Sequence, residues 1–548
     1  MATETTSLEL IRKLSAVGIA LSAEKDNDRL MELILQSAKD VARADGGTLY
    51  SRTDDNALNF EIMLTDSLNI HMGGTSGEAI TLPSVSMYNE SGEPNNKNIA
   101  ACAAVSGETV NVPDAYDAEE FDFSGTREFD RKTGYRSTSF LTVPMRNHED
   151  EVMGVLQLIN AHAPDGDGVN AFTEADQLVV ESLASQAAIA LTKKRLLDEQ
   201  RELFEAFIEL IAAAIDDKSP YTGGHCRRVP ELTMMLADAA AQTIEGPLRD
   251  FDMTEEDRYE LRIAGWLHDC GKVTTPEHVV DKSTKLETIF DRIGLVDTRV
   301  EVLKRDAEIE LLRTELARVT AGEDANPDQL TAELEKRSSD LEEQRDFLRR
   351  TNIGGEFLDD EAQARVHEIA RHEWCDASGE TVALLSEEET YNLTIQRGTL
   401  NPEERKVVNH HIEATIKMLE QLPYPRHLKR VPEFAGGHHE RMDGKGYPRG
   451  LSRDQMSVQA RVMGIADIFE ALTAGDRPYK KAMPISLALT ILGRMKEDNH
   501  VDPDLFDVFV RKRVYMEYAE KFLKPEQIDE VDLSKIPGYE LSAGKPAS

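Results

Sequence analysis

Cysteine is scarce. In 548 residues there are four, Cys102, Cys226, Cys270 and Cys375, and none falls in a CxxC pair. Cysteines so few and so scattered exclude a disulfide framework, and a reducing, cytosolic compartment fits best. Long apolar runs are missing too. No stretch of about 18 apolar residues occurs, so no transmembrane helix or membrane insertion is expected. The opening MATETTSLELIRK lacks the basic region and apolar core of a signal peptide, and the expected location is cytoplasmic. Positive charge is also under-represented, with 63 Lys and Arg against 101 Asp and Glu, a formal net charge of −38. Such an excess of carboxylates repels phosphate backbones, so nucleic acid is not an expected partner. A small anionic substrate remains compatible, because bound metals and a few local cations dominate a single pocket.

What is present is globular. Apolar residues make up 40% of the chain and charged residues 30%, and the length calls for several domains. Residues 1–195 read as an α+β domain. The amphipathic segment LMELILQSAKDVARA precedes the alternating runs GGTLYSRT and NFEIML, and SFLTVPMRN and VMGVLQLIN flank a polar HEDE as in a hairpin. A helix over 172–215 follows. Val180, Leu183, Ala187, Ala190, Lys194, Leu197, Arg201, Phe204, Ile208, Ile211 and Ile215 recur along it by threes and fours, with only Lys194 and Arg201 polar. This spacing fits a parallel dimer stalk, or else one long helix packed on its own domains.

Residues 205–540 are mostly helical in pattern, with an insertion of different texture at 286–398. Inside it, TRVEVLKRDAEIELLRTELARVT and DQLTAELEKRSSDLEEQRDFLRR are charged helices with thin apolar seams, separated by the breaker AGEDANP. An antiparallel hairpin is expected, with a solvated linker as the alternative.

Five polar clusters interrupt the helical pattern around this insertion: PYTGGHCRRV, LHDCGK, NHHIEAT, GGHHERMDGKGYP and ARVMGIADIFEALTAGDRPYKKA. Their His and Asp residues sit among apolar neighbours, where a charged Asp is costly unless it is paired or holds a metal. Adjacent helical residues point about 100° apart, so one metal cannot readily take both His268 and Asp269 from one side. Two metals can, if His268 binds one and the Asp269 carboxylate bridges both. Lys272 lies one turn on, where its ammonium could reach a phosphate or a bridging hydroxide. His438 and His439 follow two glycines and suit a helix end. Asp467 stands in an otherwise apolar helix, which favours a ligand role. Imidazole and carboxylate donors suit Fe, Mn or Zn.

These residues resemble the HD superfamily of phosphohydrolases and its HD-GYP branch, over 205–285 and 399–510. HDxGK is present as His268-Asp269-Cys270-Gly271-Lys272, and HHExxDGxGYP runs from His438 to Pro448. The resemblance implies metal ligation by His225, His268, Asp269, His438, His439 and Asp467. It adds His411 rather than His410, because the family ligand lies seven residues after the second Glu of an LTxEE-like segment, here LNPEE ending at Glu404. Family members with a third metal carry a Glu where this chain has Tyr221. Two divalent ions, Fe or Mn, are therefore implied. Arg477 and Lys480 would clamp phosphates, and Gly446, Tyr447 and Pro448 would form the loop beside the substrate, with Gly446 allowing close backbone approach and Tyr447 a ring for stacking. Asp269 and Lys272 would serve the chemistry. The implied substrate is cyclic di-GMP or a related cyclic dinucleotide, cut to pGpG or GMP. Glu470 replaces the shorter acid of the family's DxFDAL. The insertion also departs from the family, and its His367 and His372 read as surface or packing residues.

Residues 1–195 resemble a GAF domain, on GETVNVPDAYDAEEF and FDRKTGYRSTSFLTVPM and on part of the Asn-Lys…Phe-x3-Asp-Glu signature. Asn160, Phe172 and Asp176 are retained, but Ala161 and Gln177 replace Lys and Glu. The bracing Lys–Asp pair is therefore absent, and the domain's role is open between a cyclic nucleotide, another small ligand and dimerisation. The expected whole is a GAF-regulated phosphodiesterase acting as a homodimer. The alternatives are a catalytically silent nucleotide receptor that presents its insertion to a partner, or an HD phosphohydrolase for another nucleotide.

Overall fold

The computed structural model describes residues 2–24, 26–163, 168–218, 224–475 and 482–540, with side chains from Arg12 onward. The chain divides into two compact units, Met1–Phe204 and Glu205–Ser548.

The first unit is α+β. Helices α1 (Ala2–Ala23) and α2 (Asn27–Ala42) lead into β1 (Ala44–Arg52), β2 (Ala57–Thr65), β3 (Ile70–Gly73) and β4 (Val85–Ser86). Then come α3 (Ile99–Ser106), β5 (Val110–Val112), α4 (Ser124–Thr133), β6 (Phe140–Arg146), β7 (Val152–His162), β8 (Val169–Asn170) and α5 (Glu174–Lys218). The strands form one antiparallel sheet in the order β3-β2-β1-β7-β6-β5, with β4 on β2 and β8 on β7. The HEDE segment turns β6 into β7, and Asn147 Oδ1 accepts from Glu149 N and Glu151 N there, each at 2.9 Å. The apolar stripe of α2 (Leu30, Ile34, Leu35, Ala38) packs with Val180, Leu183, Ala184 and Ala187 of α5 on Leu49, Ile62, Leu156 and Leu158 of the sheet.

Two residues of the GAF signature explain themselves structurally. Asn160 adopts φ 59°, and its amide ties β7 to the segment before β6, accepting from Thr138 N at 2.7 Å and donating to Arg136 O at 2.8 Å. Asp176 caps the start of α5, accepting from Thr173 N at 3.0 Å. Its lysine partner is missing, as expected, but Arg43 Nη2 stands 3.9 Å from Asp176 Oδ1. A cation from the end of α2 thus comes near the acid from another direction.

The stripe read along α5, as a dimer seam or as a helix packed on its own domains, is buried in part, with Leu197 and Ile211 exposed. Val180, Leu183 and Ala187 are buried in the first unit's own core, and Ile208 and Ile215 are buried as well. Lys194 pairs with Asp198 at 2.9 Å. The exposed apolar positions Ile189, Leu196, Leu203 and Leu210 recur every seventh residue on another face.

The second unit is largely helical. Helices α6 (His225–Ala241), α7 (Glu255–Leu267) and α8 (Glu277–Val280) precede the insertion. That insertion contains α9 (Ile293–Thr320), α10 (Pro327–Ile353), α11 (Asp360–Ala370), the hairpin β9 (Glu373–Cys375) and β10 (Thr381–Ala383), and α12 (Glu387–Leu393). The chain returns through α13 (Pro402–Glu420), α14 (Val431–Gly436), α15 (Val458–Thr473), α16 (Ile485–Glu497), α17 (Pro503–Arg511) and α18 (Val514–Phe522). Helix α6 packs on α7 and α15, and α13 packs on α14 and on the 3-10 turn Cys270–Thr274 that follows α7.

Helices α9 and α10 run antiparallel, as the ion pairs Arg349–Asp297 (3.0 Å), Arg345–Glu301 (2.7 Å), Lys304–Glu342 (2.5 Å) and Arg337–Glu310 (3.1 Å) trace. The base of the insertion has its own core, in which Val296, Val300 and Leu348 meet Leu286, Val366, Ile369, Leu384 and Leu393.

Candidate metal centre

Each predicted ligand is delivered by a different piece of backbone. His225 opens α6, after Gly224 at φ 83°. His268 and Asp269 lie just past the last turn of α7 rather than within a helix. His411 is on the buried side of α13. His438 and His439 follow the short α14, and Asp467 sits in the middle of α15. These residues converge as two groups of four whose donor atoms lie within 4.8 Å of one another: His225, His268, Asp269 and Asp467, and Asp269, His411, His438 and His439. Asp269 belongs to both. Its Oδ2 is 3.1 Å from His225 Nε2 and 3.1 Å from His268 Nε2, while Oδ1 is 3.4 Å from His411 Nε2. Asp467 Oδ1 lies 3.3 Å from His225 Nε2, and His439 Nε2 lies 3.1 Å from His411 Nε2.

The protons on these rings are set from behind. His268 Nδ1 donates to Gly265 O at 2.7 Å, His411 Nδ1 to Val408 O at 2.5 Å and His438 Nδ1 to Ala435 O at 2.6 Å. His225 Nδ1 is held by Glu470. In the neutral imidazoles these contacts keep the proton on Nδ1 and turn the Nε2 lone pair to the interior, the tautomer a metal requires. His438 Nε2 and Asp269 Oδ1 are buried without a hydrogen-bond partner. Facing lone pairs and orphaned acceptors are costly without a cation, so the donor set fits divalent metal ions.

Electrostatics follow the same division. Burial, joined by the neighbouring His439 and His268, drives the His438 imidazole well below its ordinary range. Burial lowers His439 to about 4 despite the pull of Asp467. Both therefore stay neutral. Burial alone would lower His268 and raise Asp269. The Asp269 charge instead lifts His268 to about 9, and Lys272 with His268 holds the Asp269 carboxyl well below the usual carboxylate range. Lys272 Nζ is 2.5 Å from Asp269 Oδ2.

Several supporting residues carry no ligand chemistry of their own. Glu470, one turn beyond Asp467, is buried and also accepts from Arg228 Nε at 2.7 Å. A buried acid in an apolar helix was the available signal for it. Gly271 is required because a Cβ there would lie 2.0 Å from His411 O, and its N–H donates to Thr415 Oγ1 at 2.8 Å. The turn after Asp269 is thereby pressed onto the helix that carries His411.

The remaining sequence expectations divide. His410 faces outward and pairs with Glu413 at 2.9 Å. His367 is exposed, and neither it nor His372 joins a metal-type group among the described residues. Gly446 does permit a close backbone approach, but to Glu440 Cα at 2.5 Å and Arg441 N at 2.4 Å, measured from a Cβ it lacks. Tyr447 stacks on His439, with ring centroids 4.9 Å apart and planes at 19°, so one face of its ring is already covered by a candidate ligand. Pro448 continues this half-buried loop. Tyr221, Arg477 and Lys480 lie outside the described residues.

Comparison with known proteins adds identity to this geometry. The GAF domain family matches residues 26–191, and HD domain families match 222–372 and 386–505. A 3′3′-cGAMP-specific phosphodiesterase of Vibrio cholerae is 43% identical over 112 residues, 20% of this chain and 23% of that protein. A cyclic di-GMP phosphodiesterase of Pseudomonas aeruginosa is 38% identical over 115 residues, 21% of this chain and 26% of that protein. The chain thus spans about a quarter of the length of these curated relatives. Among solved structures, the GAF domain of an Acinetobacter phosphoenolpyruvate-protein phosphotransferase aligns with 35% of this chain and 98% of its own, at 15% identity and a TM-score of 0.26. Among the described residues no helix is long and apolar enough to cross a membrane. The chain thus joins an N-terminal GAF domain to a largely helical HD domain that is similar in sequence to the phosphodiesterases named for cyclic dinucleotides.

Proposed function

We propose that this protein is a metal-dependent phosphodiesterase of the HD-GYP type that hydrolyses a cyclic dinucleotide, cyclic di-GMP foremost, to pGpG or onward to GMP, under control of its GAF domain. The observation that carries the reading is the pair of four-donor groups sharing Asp269. His225, His268, Asp269 and Asp467 would hold one divalent ion, and Asp269, His411, His438 and His439 a second, with Fe or Mn suited to the imidazole and carboxylate donors. The chemistry such ions supply when bound is activation of water as a nucleophile and neutralisation of phosphodiester charge.

The chain's own groups do the rest. Asp269 faces both halves with an ionised carboxylate. Lys272 keeps its ammonium at that carboxylate, where it attracts the phosphate of an incoming substrate. Arg477 and Lys480 would add cations for the second phosphate, and the Gly446–Tyr447–Pro448 loop, with Tyr447 stacked on His439, would line the substrate site. Water forms the new P–O bond, and the bond from phosphorus to the ribose 3′ oxygen breaks, leaving a 5′-phosphorylated product. A related substrate, 3′3′-cGAMP, is favoured by one specific observation, the 43% identity to a relative named for it. The reading extends to a cytoplasmic homodimer, supported by the exposed heptad Ile189, Leu196, Leu203 and Leu210 on α5.

The test is elemental analysis of anaerobically purified protein together with turnover of a panel of cyclic dinucleotides with Fe or Mn supplied. Metal in both groups and hydrolysis of at least one cyclic dinucleotide support the enzyme. Metal-free protein that binds a nucleotide without cutting it supports the silent receptor instead.

A further inference from the structure

Helix α5 ends on two residues that touch both halves of the first metal group's framework. Asp216, in its last turn, is buried. Its carboxylate accepts from Gly224 N at 3.0 Å and from Cys226 N at 3.2 Å, the amides on either side of His225. Helix α6 has Gly224 at its N-cap, which offers no side chain to its first amides. Asp216 therefore caps α6 from a neighbouring helix, a role that a residue's own Ser, Thr or Asp usually fills. Two residues on, Lys218 Nζ donates to Lys272 O at 3.2 Å, Val273 O at 2.5 Å and Thr275 O at 2.7 Å. An ammonium has three protons, and all three are directed at the turn that follows His268 and Asp269.

We infer that Asp216 and Lys218 are positioning residues for the metal centre: one helix end fixes the backbone of His225 through Asp216 and the backbone behind His268–Asp269 through Lys218. Their effect runs through the ligands, whose geometry depends on such outer contacts. Because Asp216 and Lys218 both lie in the last turn of α5, a rotation or slide of that helix end would move both ligand segments together. The inference rests on the reading of the centre as a metal site, and it gives the chain a defined point at which α5 acts on that site.

The test uses the full chain with Mn²⁺ alone as the probe, and compares Lys218→Met, Lys218→Arg, Asp216→Asn and Asp269→Ala with the unaltered protein. Lys218→Met is expected to weaken Mn²⁺ binding about 10-fold or more, with an unchanged far-ultraviolet circular dichroism spectrum, and to speed amide exchange across 270–276. Lys218→Arg, which keeps charge and donors, is expected to restore both. If Lys218→Met unfolds the protein, Asp216→Asn carries the same expectation, with faster exchange across 224–228. Mn²⁺ affinity within about two-fold of the unaltered protein, together with unchanged exchange, overturns the clamp. If Asp269→Ala binds Mn²⁺ like the unaltered protein, the metal reading fails, and the exchange measurements alone then decide whether the clamp exists.

Discussion

Two regions of the second unit are rich in charge, and they handle it in opposite ways. In the inserted hairpin the charges lie along the partly solvated seam of α9 and α10 and pair with each other across the helices. In the metal centre the charged and polar groups are buried, and some face each other with lone pairs and no partner. Exposed pairs contribute little, because water screens them and ordering long side chains opposes them. Buried groups without partners cost stability, and a fold that keeps them is built around what they will hold. Charge count therefore says little about function, whereas charge that is buried and left open says a great deal.

The comparison breaks most sharply at Asp269. Asp269→Ala removes the one carboxylate shared by both groups, and the expected result is loss of bound metal and of cyclic-dinucleotide hydrolysis, with the helical fold intact by circular dichroism. Normal metal content and turnover would refute the assignment. Next comes the paired histidine on α13. His411→Ala should reduce metal content and activity severely, while His410→Ala, a change on the exposed face, should leave both near the starting level. The reverse order would mean that the wrong histidine has been assigned to the centre.

A smaller effect is expected behind the ligands. Glu470→Gln keeps an acceptor for His225 Nδ1 but loses the charge, and should weaken metal binding about 10-fold, the lower end for an outer contact of a ligand. Equilibrium dialysis against Mn²⁺ would measure it, and an unchanged affinity would show that Glu470 serves only the fold. The smallest effect belongs to the hairpin. Lys304→Ala breaks part-exposed pairs with Glu301 and Glu342, and neither the melting temperature nor the metal content should change measurably. A clear loss of stability would show that the hairpin's charges form a network rather than independent pairs.

Much of this was legible in the amino-acid sequence. Strand alternation and the HEDE turn announced the sheet, and apolar periodicity announced α2, α5 and the hairpin, because these are local patterns set by periods of two and 3.6 residues. The centre's residue types were legible as well, since His and Asp in apolar settings have few other uses. The choice of His411 over His410 came from a family spacing, and the two residues now differ visibly in burial. Other readings needed the fold. The apolar seam of α5 looked like one stripe, but α5 is long enough to meet different surroundings along its length, and only packing decides which positions are core. Gly446 looked open to a ligand and instead lies against the chain's own backbone.

The sequence by itself determined which donors exist and which helices and turns carry them, because ligand chemistry and helix period are properties of residues and their near neighbours. Only the tertiary structure decided that Asp269 faces both groups, that Glu470 stands behind His225, and that Asp216 and Lys218 hold the turns on either side. Those contacts join residues from eight to more than two hundred positions apart. No local pattern encodes them, and they arise only when the helices pack.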